Sequence, residues 1–153
     1  MPWLIKSEPE VFSIQDLKKV KREPWSGVRN YQARNFMWHD MQVDDLALFY
    51  HSSAKPPGVA GVAKVVSAPY PDPTQFDVKS EYFDPKSTAQ KPRWFLVDFS
   101  HVATFAELLP LETLKSDDVL KDMIVSRKGT RLSITPVEKK HFTRILKLAR
   151  CKI

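Results

Sequence analysis

Two apolar runs, LALFYHS (Leu46 to Ser52) and GVAGVAKVVSA (Gly58 to Ala68), are separated only by SAKPP. Branched and small residues on either side of a short, proline-bearing connection predict an antiparallel hairpin. A hairpin cannot stand alone, and other stretches supply partners. RWFLVDFSHVATF (Arg93 to Phe105) resumes the sheet, with Trp94, Leu96 and then Phe99 or Val102 dividing between its faces. WLIKS (Trp3 to Ser7), bounded by Pro2 and Pro9, is predicted as a buried strand, and RLSITP as a last short one.

Helices fill the intervals. Ser13 followed by Asp16 resembles a capping box that opens the short helix SIQDLKKV. Gly27 breaks the chain, and Asn30 is placed to cap a second helix running to about His39, with Ala33, Phe36, Met37 and Met41 at helical spacing. Thr135, Pro136 and Glu138 predict a capping box with proline in the first helical position. The helix that follows turns Val137, Phe142, Ile145, Leu146 and Ala149 inward and its basic residues outward. Between Leu108 and Met123 the pattern predicts a loop with short helical turns. The excursion from Pro69 to Pro92 is rich in proline, yet Tyr70, Phe76, Tyr82 and Phe83 predict that it is ordered in places. The sum is an α+β domain: a curved, mostly antiparallel sheet, barrel-like, flanked by helices.

At 153 residues the chain is read as a single domain, 1–153, long enough to bury its core without staples. No apolar run is long enough to span a membrane. MPWLIKSEPE lacks the features of a secretory signal, so an intracellular, cytoplasmic protein is expected. The single cysteine, Cys151, fits a reducing compartment. A net charge of +6 favours polyanions. Much of it lies in Lys18, Lys19, Lys21 and Arg22 and in the last 15 residues, which read either as phosphate contacts or as solvated helix faces.

Several chemistries lack their residues. His39, His51, His101 and His141 are scattered singly, with no CxxC or HxxxH, so neither metal nor cofactor is expected. There is no glycine-rich phosphate loop, which excludes a P-loop. Ser7, Ser26, Ser52 or Ser133 could lie near His51 as a nucleophile and base, but spacing selects none of them.

The stretch WSGVRNYQARN (Trp25 to Asn35) concentrates planar side chains and hydrogen-bond donors around one glycine. Taken with WLIKSEP, FYHS, PGVAGVAKVV, PRWFLVDF and RLSITPV, in that order from Trp3 to about Leu148, it resembles the EVE domain, a PUA-like family. The resemblance implies a PUA-like curved β-barrel flanked by helices. It also implies kinship with the YTH domain, which captures N6-methyladenine in RNA, and a role in reading modified bases in DNA or RNA. Carried over by motif, it puts Lys6 and Ser7 on the pocket rim, Trp25 and Ser26 in its lining, and Val28, Arg29 and Asn30 beside them. Tyr50, His51 and Ser52, with Ser133 and Pro136, are brought towards the same mouth. The second and third aromatics of the methyladenine cage have no clear equivalents, which leaves the base open.

Physically, a captured base needs a stacking plane, bonds to its pairing edge and a cationic path for its phosphates. Trp25 can stack or simply be core. Asn30 can bond a base edge or cap its helix, and Arg34 can hold phosphate or be solvated. Lys6 either serves the pocket or snorkels from the strand end. Tyr50 and His51 alternate, so only one of them faces a given side. The reading is a non-enzymatic module that binds a modified nucleobase. A hydrolase or transferase using a Ser or His51, and a small-molecule sensor, stand as alternatives.

Overall fold

The computed structural model describes residues 1–129 and 131–153. Eight strands follow in chain order: β1 (Trp3–Ser7), β2 (Arg22–Pro24), β3 (Leu46–His51), β4 (Gly58–Val65), β5 (Tyr70–Pro71), β6 (Phe95–Leu96), β7 (Asp98–Pro110) and β8 (Ile134–Pro136). Six of them make one sheet in the order β2-β7-β4-β3-β1-β8. β1 and β3 run parallel, and every other neighbour pair in this sheet is antiparallel. The sheet curls into a half-barrel with helices at its flanks. Its edges, β2 and β8, do not pair with each other, so the barrel is open. Register shifts at Phe49/Tyr50, Val59/Gly61 and Val62/Ala63 mark bulges, which sharpen the curl.

The predicted hairpin is β3–β4, paired from Leu46↔Lys64 to His51↔Gly58. Its strands are buried on both faces, which is why they read as continuous apolar runs rather than alternating ones. Alternate β3 residues divide between two cores. Ala47 and Phe49 join Trp3, Ile5, Trp25, Phe99 and the first helix, while Leu48 and Tyr50 join Leu4, Phe105, Phe142 and Ile145. The run from Arg93 breaks at Val97: β6 pairs only with β5, and β7 then continues to Pro110.

Helix α1 (Ile14–Val20) carries the predicted capping box, with Ser13 and Asp16 bonding reciprocally. Asn30 caps α2 (Tyr31–Asn35), its side chain accepting the Ala33 amide. The predicted second helix does not stay regular as far as His39: from Phe36 to Asp40 it widens into a π turn. α3 (Leu111–Ser116) occupies the interval predicted as helical turns. The expected cap at Thr135 is overturned. Thr135 and Pro136 end β8, paired to Leu4 and Trp3, and α4 (Lys139–Leu148) begins after Glu138 with no side-chain cap. Strand pairing captured the Thr-Pro step that, read alone, resembles a helix start. The inward face of α4 includes His141 as well as Phe142 and Ile145.

Candidate functional site

A cleft of about 520 Å³ opens where β1 ends, bounded by the segment from Glu23 to Arg29, by Val11 and Phe12, and by Glu81 and Tyr82. Lys6, Ser7, Trp25, Ser26, Val28, Arg29 and Ser133 all line it. Two segments far apart in sequence thus meet at one strand end. Lys6 and Ser7 lie at the close of β1, and the Lys6 amide donates to the Ser133 carbonyl at 2.9 Å.

Lys6 stands across from Tyr50 of β3, with its Nζ 5.9 Å from the centre of that ring. No carboxylate among the described residues pairs with the ammonium, and partial burial lowers its pKa below the usual lysine value. A half-buried cation without a counter-ion leaves strong donors available to a ligand. Trp25 is only 9% exposed and packs edge-on to Phe49, Phe99 and Phe12, with ring centres 5.7, 5.4 and 6.3 Å away. It is therefore core and cleft lining at once. Its backbone amide bonds the Val97 carbonyl, whereas its indole N–H has no acceptor among the described residues.

Glu23 adds a carboxyl whose pKa is raised, first by burial and then by the charge of Asp98. Ser7 is already engaged, its hydroxyl donating to the Phe12 carbonyl and tying that wall to β1.

Arg29 forms the scaffold of the opposite wall. Its guanidinium donates to the Tyr82, Val28, Asp72 and Thr74 oxygens through five bonds, and lies 5.5 and 5.1 Å from the Tyr82 and Trp94 ring centres. Asp72, 1% exposed, accepts from Arg29, from the Gly27 amide at 2.8 Å and from both the amide and hydroxyl of Thr74. This buried carboxylate fastens the proline-rich excursion to the Trp25–Arg29 segment, yet sequence reasoning did not single it out. Its one local signal was the Asp-Pro-Thr turn that opens the short helix Pro73–Phe76. Gly27 takes φ +83°, and a Cβ there would sit 2.7 Å from the Tyr82 ring. The wall therefore requires a glycine.

The remaining expected residues fall outside the cleft. Asn30 is exposed and spends its carbonyl on the α2 cap. Tyr50 is buried beneath Lys6. His51 is 8% exposed, and its Nε2 accepts the Ile14 amide at 3.1 Å, satisfying one orphan donor of α1. Burial holds its pKa below the ordinary histidine value. The Ser52 amide extends the strand ladder by bonding the Ser7 carbonyl. Pro136 pairs with Trp3, at the end of β1 remote from Lys6, and lines a different cleft with Met123 and His141. The register of β8, which alternation alone does not fix, puts it there.

Among the expected backbone contacts, Lys18, Lys19 and Lys21 are exposed, and Arg22 is paired to Asp98 at 2.7 Å. Arg34 bonds Asn35 and the Arg93 carbonyl and lies 4.6 Å from the Tyr31 ring centre. No serine hydroxyl bonds a histidine among the described residues, and no group there could hold a metal. None of the described helices is long and apolar enough to cross a membrane.

Comparison with known proteins matches this arrangement to a family. Thymocyte nuclear protein 1 of Homo sapiens is 41% identical over 95% of this chain and 72% of its own length. A crystal structure of a Pseudomonas putida protein superposes with a TM-score of 0.93 at 45% identity, covering 97% of this chain and 99% of its own. Human THYN1 protein, solved in complex with 5-methylcytosine-containing DNA, superposes with a TM-score of 0.90 at 40% identity, covering 99% of each chain. The model of the EVE domain matches residues 2–148, a span that holds every residue of the Lys6–Trp25–Arg29 cleft. With the family model matched over nearly the whole chain and a relative 41% identical over 95% of it, the chain belongs to the EVE domain family.

Proposed function

We propose that this protein is a non-enzymatic reader that takes one modified nucleobase, methylated cytosine in DNA foremost, into the cleft between the end of β1, the Glu23–Arg29 segment and Tyr82. The observation that carries the reading is the donor set left unspent there: the unpaired Lys6 ammonium and the indole N–H of Trp25. Donors that no protein group accepts are free for a ligand's acceptors, so a ligand that bonds them is favoured. The N3 and O2 atoms of cytosine accept from such donors, and its N4 amine suits a carboxylate such as Glu23. A human relative 40% identical to this chain, solved with 5-methylcytosine-containing DNA, supports the same ligand class.

The methyl group itself contributes only about 0.8 kcal/mol when buried, close to a fourfold preference. Stronger discrimination therefore has to come from polar groups that only the correct base pairs. Against a hydrolase or transferase stands the engagement of its candidate base, His51, by the Ile14 amide and of Ser7 by the Phe12 carbonyl, with no serine hydroxyl bonded to a histidine among the described residues. DNA is favoured over RNA by the relative's complex, and such a ligand requires an intracellular place of action.

Fluorescence anisotropy with matched oligonucleotides tests the reading. Strands and duplexes with one 5-methylcytosine are expected to bind several-fold tighter than unmodified twins, without covalent change. Equal affinities would end the modified-base claim, tighter binding to methylated RNA would change the polymer, and turnover of a nucleotide would favour the enzyme.

A further inference from the structure

Beyond the cleft, a second surface carries aromatic groups that the base pocket does not use. Tyr31, the first residue of α2, stacks on Trp94 with ring centres 4.7 Å apart and planes 15° from parallel. Trp94 is buried and fixed, its indole N–H donating to Asp84 at 2.7 Å, while Tyr31 remains 50% exposed. The Arg34 guanidinium lies 4.6 Å from the Tyr31 ring centre and 5.9 Å from that of Trp94. With both neighbours in place, half of the Tyr31 surface still stays open. The result is an aromatic plate, backed by Trp94, with an open side.

The plate is continuous with the cleft. Arg29, which lines the cleft, lies against both Tyr82 and Trp94, and Trp94 in turn carries Tyr31, so a short chain of rings joins the plate to the rim. A cationic group stands beside it: Arg34 forms no ion pair among the described residues, and its guanidinium bonds the carbonyl of Arg93, the residue before Trp94. A stacked π-face beside an unpaired cation is the arrangement that holds a nucleobase by its face and its phosphate by charge, with little regard to sequence.

We propose that the open side of Tyr31, backed by Trp94, stacks a nucleobase that neighbours the captured one on the same strand. This rests on the reading of the cleft as a base pocket. The plate would contribute affinity for the unpaired strand and none of the preference for the modification, because it meets a base face that the modification leaves unchanged.

The test uses the full chain and single-stranded DNA pentamers carrying central 5-methylcytosine or cytosine, with 2-aminopurine on one side or the other. In the parent protein, one flanking 2-aminopurine is expected to be quenched on binding. Tyr31→Leu keeps apolar cover on Trp94 but removes the π-face. It is expected to abolish that quenching and weaken both pentamers by about fivefold or more, with an unchanged ratio between them. Tyr31→Phe is expected to behave as the parent. If Tyr31→Leu fails to fold, the parent and Tyr31→Phe decide by their quenching. Absence of flank quenching in the parent, or Tyr31→Leu binding as the parent does, overturns the proposal. A parent that quenches but shows no preference for 5-methylcytosine refutes the base-pocket reading while retaining the stacking plate, and a parent that binds neither strand overturns both.

Discussion

Lys6 and Trp25 show how one residue can serve two masters at a strand end. Lys6 shares a face of β1 with Leu4, whose partners are buried, yet it sits near the end of the strand and lines the cleft. Replacing it by methionine keeps the stem that packs over Tyr50 and removes the donor. Lys6→Met is therefore expected to leave thermal stability close to that of the parent and to weaken oligonucleotide binding by roughly tenfold, the scale of one hydrogen bond from a charged group. A Tm that falls while affinity holds would make Lys6 a packing residue instead. The sequence made the oddity of Lys6 legible, since a charge interrupts an apolar strand. It could not decide Trp25, because whether an indole is core or lining depends on which rings surround it, and Phe12, Phe49 and Phe99 come from three separate parts of the chain. Arg29 was legible as important but not in its role: its five bonds go largely to a loop whose path no local pattern fixes.

At the scale of elements, the walls are held by side chains that read as site residues in sequence. His51 is the clearest case. It lies one residue past Tyr50 on β3, yet its imidazole turns to α1 and accepts the Ile14 amide. Val11 and Phe12, just before α1, form a wall of the cleft. Protonation of Nε2 would abolish this acceptor. Because burial lowers the folded-state pKa of His51 below its unfolded value of 6.5, its contribution is present above that pH and is lost as pH falls towards the lower folded value. Melting temperature measured against pH is expected to drop below about pH 6.5, and less steeply in His51→Gln, whose amide oxygen can still accept. Parallel curves would show that this bond does not couple to pH. Most elements were legible because their signals are local: the Ser13 and Asn30 caps, the β3–β4 hairpin and the apolar stripe of α4. The Thr135 cap misled because the partner that claimed it, Leu4, lies near the opposite end of the chain and no spacing rule reaches it.

Across the whole molecule, the curled sheet gives two cores with different tasks. One, containing Trp25, Phe49 and Phe99, ends in the cleft floor; the other is closed by α4. Lys18 and Lys19 on α1 are exposed without ion pairs among the described residues, as are Lys139 and Lys147 on α4, where Arg144 is held by Asp117 and Lys140 by Glu138. Changing Lys18, Lys19 and Lys21 to glutamine is expected to flatten the dependence of log affinity on log salt by about 0.7 to 0.9 for each phosphate no longer neutralised, leaving the preference for a modified base intact. An unchanged slope would place the phosphate path elsewhere. The central claim is narrower: that the base enters between Lys6, Trp25 and Tyr82. Its most direct measurement is the 15N–1H spectrum of the protein titrated with a DNA strand containing one 5-methylcytosine. The account predicts a large shift of the Trp25 indole N–H, which has no acceptor among the described residues, together with the Ser26 and Gly27 amides. Shifts confined to the amides of Met123, Val137 and His141, with the Trp25 indole unmoved, would contradict it.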